Sequence, residues 1–218
     1  MAFLPSTPLT LTGSCMCTAV RYTIAVPALS SRPLAPRAAP TPINAAGERV
    51  ATRLPFIDID HCEDCRRACG GLVQCWFICP ESWISFSLLS KATTDAPYVA
   101  YPCDQVATPS PEVLQTTYLG HYESSPQIHR CFCTRCGTGL TYCSSKDRGP
   151  NWTLGVIVDV AVGTMDRESI ELARPDRHGW WNSGTGWVKD LMEGKSEWLI
   201  RHPSGRVDQE VKREDPGP

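Results

Sequence analysis

The sequence predicts a mainly β fold with few short helices, pinned by a cluster of four cysteines around one zinc ion. Three observations lead there. Cys15-Met16-Cys17 and Cys133-Thr134-Arg135-Cys136 are close cysteine pairs set far apart in the chain. Thiolates two or three residues apart can face one ion from a tight turn, so two such turns close a tetrahedral structural site. From Ala19 the chain then alternates, with Val20, Tyr22, Ile24 and Val26 on one face and Arg21, Thr23 and Ala25 on the other, the period of a half-buried strand. Helical periodicity, by contrast, is scarce.

Taken in order, that first strand leaves the turn carrying the first cysteine pair. Further β-rich stretches occupy residues 84–88, 114–119, 140–143, 154–162 and 198–201. Short helices fit 64–69, 167–172 and 186–192, none long enough to organise a core. Residues 27–53 are rich in Pro, Ala, Ser and Arg and poor in large apolar groups, which reads as an extended surface insertion. Residues 202–218 are charged and bounded by Pro and Gly, the composition of a mobile tail. A single domain over 9–201 follows, carrying the insertion at 27–53 and the tail at 202–218.

Composition narrows the partners. A formal charge of -2 and a pI of about 6.2 leave no basic excess for a phosphate backbone, so no nucleic acid partner is expected. Met1 to Gly13 has no basic and apolar leader pattern and contains Pro5 and Pro8, and no apolar run reaches membrane-span length. A cytoplasmic protein without membrane contact is expected, and its 12 cysteines then point to metal ligation and reduced thiols rather than disulfides. A small-molecule substrate is the expected partner, and a homo-oligomer stays open.

A second cluster follows the insertion, in Asp60-His61-Cys62-Glu63-Asp64-Cys65-Arg66-Arg67. Three ligands and one open position make a catalytic zinc. With residues 56–60 extended, Asp60 and Cys62 point the same way and His61 the opposite way, which selects Asp60, Cys62 and Cys65 as ligands. A turn beginning at Asp60 selects His61 instead. Arg66 is a candidate anion anchor, and His61, Glu63 and Glu123 are candidate proton carriers, against the alternative of solvated surface charge for Glu63 and Glu123. Cys69, Cys75, Cys79, Cys103, Cys131 and Cys143 have no complete ligand set and read mostly as small buried hydrophobes, with Cys131 an alternative ligand next to Cys133. Trp180, Trp181 and Trp187 sit among Gly and Asn; core packing is expected for at least two of them, against a loop covering a small-molecule pocket.

Gly13 to Tyr22, His61 to Gly70, Ser124-Ser125-Pro126 and Arg130 to Thr138 together closely resemble the glutathione-dependent formaldehyde-activating enzyme family, the CENP-V/GFA domain. The resemblance runs from about Leu9 to Trp187 and rests on three ordered motifs. It implies a β-tent of small antiparallel sheets, a structural zinc on Cys15, Cys17, Cys133 and Cys136, and a second zinc on a Cys-His-Cys-x-x-Cys motif. It implies thiol-linked chemistry of formaldehyde or carbon-sulfur bond cleavage, with glutathione as the co-substrate to consider. The chain departs from the pattern at Asp60, where the motif has its first cysteine, and at Thr18, where the family usually has Gly. The insertion is similar to that of members from filamentous fungi, which implies secondary metabolism.

The carboxylate keeps the ligand charge of three thiolates but donates less electron density, so a zinc bound there is a stronger Lewis acid. That favours a lyase, dehydratase or related rearrangement of an oxygenated or thiol-conjugated metabolite over formaldehyde chemistry, unless the site no longer holds metal. The competing expectation is a non-catalytic zinc module that binds a protein.

Overall fold

A computed structural model describes residues 4–35, 52–92, 97–146 and 154–195. The strands are β1 (Leu9–Ser14), β2 (Val20–Val26), β3 (Phe56–Asp60), β4 (Gln74–Pro80), β5 (Ile84–Leu89), β6 (Tyr98–Pro102), β7 (Leu119–Ser125), β8 (Ile128–Cys133), β9 (Gly139–Ser144), β10 (Ile157–Ala161) and β11 (Arg177–Gly179). The helices are α1 (Glu63–Cys69), α2 (Asp104–Ala107), α3 (Pro111–Thr116), α4 (Arg167–Leu172) and α5 (Gly186–Met192). The mainly β architecture with short helices is thus what the chain adopts.

Two sheets carry it. The smaller runs β1-β2-β5-β6 and the larger β11-β3-β4-β10-β9-β8-β7. Every pairing is antiparallel except that of the edge strand β11 with β3. Strand β2 buries alternate residues, Val20, Tyr22, Ile24 and Val26, because its inner face meets the larger sheet. One core cluster joins Leu11 and Ile24 to Phe86 and Leu88 of β5 and to Phe77, Val158 and Val160 of the larger sheet. Burying a side chain the size of Phe77 or Phe86 contributes about 2–3 kcal/mol, so this shared core holds the sheets together.

The opposite face of the larger sheet carries a smaller cluster of Cys65, Trp76 and Ala161, with Cys62, Ile78 and Tyr142 packed on it. The period of 2 explains the placement. Asp58 and Asp60 on β3 and Trp76 and Ile78 on β4 share that face, while Ile57 and Phe77 turn to the main core.

Residues 114–119, expected as a strand, instead begin as the second half of α3, which ends at Thr116. Ser110 caps α3 by accepting from the Val113 N–H at 3.4 Å, Pro111 opens its first turn and Glu112 lies at its positive end. These start signals override the apolar run, and only Leu119 enters a strand. The insertion reading holds for composition, yet its described ends are anchored. Arg32 is buried and donates to the Pro27 carbonyl at 2.8 Å, and Leu34 bridges Arg53. The middle of the insertion, the strand expected at 198–201 and the tail at 202–218 lie outside the described residues. Among the described residues, no helix is long and apolar enough to cross a membrane.

Candidate metal centres

The turn from β1 to β2 and the turn from β8 to β9 meet at one end of the fold, and each delivers two thiols. Cys15, Cys17, Cys133 and Cys136 place their sulfurs within 4.8 Å of one another. The Cys15 and Cys17 sulfurs are 3.6 Å apart and those of Cys17 and Cys133 3.7 Å. Four thiolates about 2.3 Å from one zinc sit about 3.8 Å apart at the corners of a tetrahedron, so the spacing fits that ion. Cys131 does not join them; its thiol donates to the Val106 carbonyl at 3.0 Å in the core.

Backbone geometry forms both turns. Gly137, at φ 77°, returns its N–H to the Cys133 carbonyl at 2.8 Å. Thr138 joins the turns, because its hydroxyl accepts from the Met16 N–H at 3.2 Å and lies 3.2 Å from the Cys136 sulfur. Burial opposes ionisation of Cys136, but the Thr138 hydroxyl and N–H and hydrogen bonds from Cys17 outweigh it and bring the thiol down to about 6. Burial pushes Cys133 up to about 12.

In the first turn the left-handed position is held by Thr18, at φ 60°. A β-branched residue there is strained by about 1–2 kcal/mol, whereas Gly is not. Thr18 contributes its backbone, donating N–H to Cys15 and accepting at its carbonyl from the Tyr98 hydroxyl, and glycine keeps both contacts. Thr18→Gly is therefore expected to raise stability by about 1 kcal/mol after the entropy cost of glycine in the unfolded chain. A lowered melting temperature would refute the strain argument.

The second centre lies where β3 ends and α1 begins. Asp60, Cys62 and Cys65 present one oxygen and two sulfurs within 4.8 Å of one another, a second group able to hold a metal ion. Cys62 is the N-cap residue of α1 and Cys65 lies one turn on, so both face the sheet. Asp60 is 4% exposed and both its oxygens are directed: Oδ1 accepts from the Cys62 N–H at 2.9 Å and Oδ2 from the Trp76 indole at 3.2 Å. Burial pushes the Cys65 thiol up to about 12, against the pull of Arg130, whose Nη2 donates to its sulfur at 3.4 Å. A divalent ion with one carboxylate and two thiolates carries a net charge of about -1, which the Arg130 guanidinium neutralises.

His61 stands outside this group. It is buried against β11 and the loop that follows, its Nε2 3.1 Å from His178 Nδ1 and its ring edge-on to Trp181 at 5.0 Å. Its Nδ1 is sealed without a partner, and a Cβ on Gly184 would come within 2.7 Å of it. Burial, then His178, holds His61 below the usual imidazole pKa. Asp58 has a sealed, unpartnered Oδ1 and is pushed up to about 7 by burial and then by Asp60.

The other nominated residues lie elsewhere. Glu63 is exposed and pairs with Arg67 at 2.6 Å and Arg66 at 3.7 Å across the outer side of α1. Glu123 is exposed and accepts from the Gln127 N–H in the β7–β8 turn. None of Glu63, Arg66 and Glu123 lines the cavity beside the second centre. The expectation of core packing for two of the three tryptophans fails. Trp180 is 69% exposed where the chain leaves the short edge strand β11, and Trp187 is 49% exposed in the first turn of α5, whose buried residue is Val188; of the three, Trp181 turns onto the histidines.

Arg130 is the residue that the motif reading passed over. It is 6% exposed, donates Nε to the Ser124 hydroxyl at 3.2 Å and stacks on Tyr142 at 4.9 Å. A signal was present, since an arginine between Ile128, Cys131 and Cys133 in a strand has buried positions on both sides. The chain matches no family model and no curated protein.

Proposed function

We propose that the chain is a zinc enzyme of the formaldehyde-activating (CENP-V/GFA) type in which the four-cysteine cluster fastens the fold and Asp60, Cys62 and Cys65 hold a second zinc. Its reaction is of the lyase type, an elimination or dehydration of a small oxygenated or thiol-conjugated metabolite. The observation that carries this reading is a largely buried three-donor group whose hydrogen-bond partners Trp76 and Arg130 line a neighbouring cavity of about 600 Å³. Three protein ligands leave one coordination position for substrate, the pattern of catalytic rather than structural sites. Zinc there supplies Lewis-acid polarisation of the substrate atom at the departing or attacked bond.

The protein groups do the rest. Trp76 and the Cys62 N–H fix the carboxylate of Asp60, which sets its approach to the metal. Arg130 orients Cys65 and balances the cluster's charge. His61 and the exposed His178 share a hydrogen bond that leads outward from the end of β3.

A second reading is favoured by the exposure of Trp180 and Trp187, which a protein-binding module would use as anchors. Metal analysis separates the two. The enzyme reading expects two zincs per chain, one of which is lost in Asp60→Asn and kept in His61→Ala. One zinc in the wild type favours the binding module, and loss in His61→Ala with retention in Asp60→Asn would give the ligand role to His61.

A further inference from the structure

The cavity lies between the C-terminal turn of α1 and the larger sheet, and its walls limit what can enter. Trp76, Tyr122 and Phe132 supply aromatic surface, the last two with rings 6.1 Å apart and tilted by 61°. Gly139 and Gly163 leave the floor flat, and a Cβ built on either meets no atom within 4 Å. Arg130 is the one charged residue of the lining, and no lining carboxylate is present to hold an ammonium group. Among the described residues, two of the five guanidinium donors are engaged, Nε on Ser124 and one Nη2 hydrogen on Cys65. Among the described residues, no carboxylate forms an ion pair with it.

From this we infer that the cavity takes a planar aromatic or conjugated monoacid, its carboxylate against Arg130 and its ring system between the aromatic walls. The inference rests on the proposed reading of the cavity as the substrate's place. Arg130 makes the approach of an anion favourable, because without it a carboxylate would meet a metal cluster of net charge about -1. The same guanidinium touches Cys65, so an acid held there lies beside the metal ligands. A peptide thiol with an ammonium group, two carboxylates and amides would leave most of its polar groups unmatched in this lining, at a cost for each one buried.

The test is calorimetric titration of the zinc-loaded full chain with naphthoate, its neutral isostere naphthamide, and reduced glutathione. Naphthoate is expected to bind at least about tenfold more tightly than the other two, the range of one charge-assisted hydrogen bond. Arg130→Gln is expected to bring naphthoate to the level of the amide. Because Arg130 also supports Cys65, Gly139→Phe serves as the second variant. A Cβ there meets no atom within 4 Å and Gly139 lines the cavity, so metal content and melting temperature are expected to stay and naphthoate binding to vanish. Equal binding of acid and amide, or wild-type binding by Gly139→Phe, overturns the inference. Two zincs per chain with a preference for glutathione overturns it while leaving the proposed enzyme standing. One zinc with the naphthoate pattern intact overturns the enzyme and leaves the cavity's ligand class.

Discussion

Cys133→Ser is expected to leave the chain without a cooperative melting transition at room temperature and with one metal ion fewer. Cys133 is fully buried, its sulfur 3.7 Å from that of Cys17, and it is one of the four thiols through which the β1–β2 turn meets the β8–β9 turn. Apparent binding free energies at such sites are about 10–16 kcal/mol and add directly to folding. A domain's whole net stability is about 5–15 kcal/mol, so even partial loss of the site is comparable to it. Cys131→Ser is the control, since that residue bonds the Val106 carbonyl and a serine can do the same. Acid acts in the same direction as the substitution. Burial raises Cys133 to about 12, so protons compete for its sulfur at all ordinary pH values, and metal affinity is expected to fall as pH falls. Thermal unfolding with metal analysis decides the matter, and an unchanged melting temperature with full metal would sink the structural role.

Under the proposed function, Cys62→Ala is expected to do the reverse: the metal proposed for the second centre goes, the proposed turnover goes with it, and the fold stays. Cys62 is half-buried at the start of α1 and makes no side-chain cap hydrogen bond, so its truncation costs about 1 kcal/mol, or about 2–4 °C in a domain of this size. The four-cysteine centre remains to hold the sheets. A variant that keeps two metals per chain would remove Cys62 from the ligand set.

What was legible in the sequence was whatever has a local cause. Alternation placed β2, and the short helices expected at 167–172 and 186–192 are α4 and α5. Strand β4 escaped notice because both of its faces are covered, so Gln74 to Pro80 shows no alternation, and Pro80 sits at its end. Strand β6 is a short edge of mostly exposed residues, Tyr98 to Pro102, in which no polar residue alternates with the apolar ones to mark a strand. The residues that complete the second centre come from neighbours in space. Trp76 reaches Asp60 only because β4 pairs with β3, and Arg130 reaches Cys65 only because the far half of the sheet passes beneath α1. Spacing along the chain carries no record of such pairings.

The four-cysteine centre also fixes a timetable. Cys17 leaves the ribosome 116 residues before its partner Cys133. At about 5–20 residues per second that is an interval of roughly 6–23 s. During it, the thiols of Cys15 and Cys17 wait on a hairpin whose inner face, Val20 to Val26, meets only an incomplete larger sheet, since β9 and β10 are made after Cys133. Closing so long a loop costs entropy that early contacts do not offset, so a metal held by all four cysteines could lock the fold only after Cys136 has been made. The N-terminal hairpin is therefore the segment most in need of a chaperone or of reduced-thiol protection while the chain is being made.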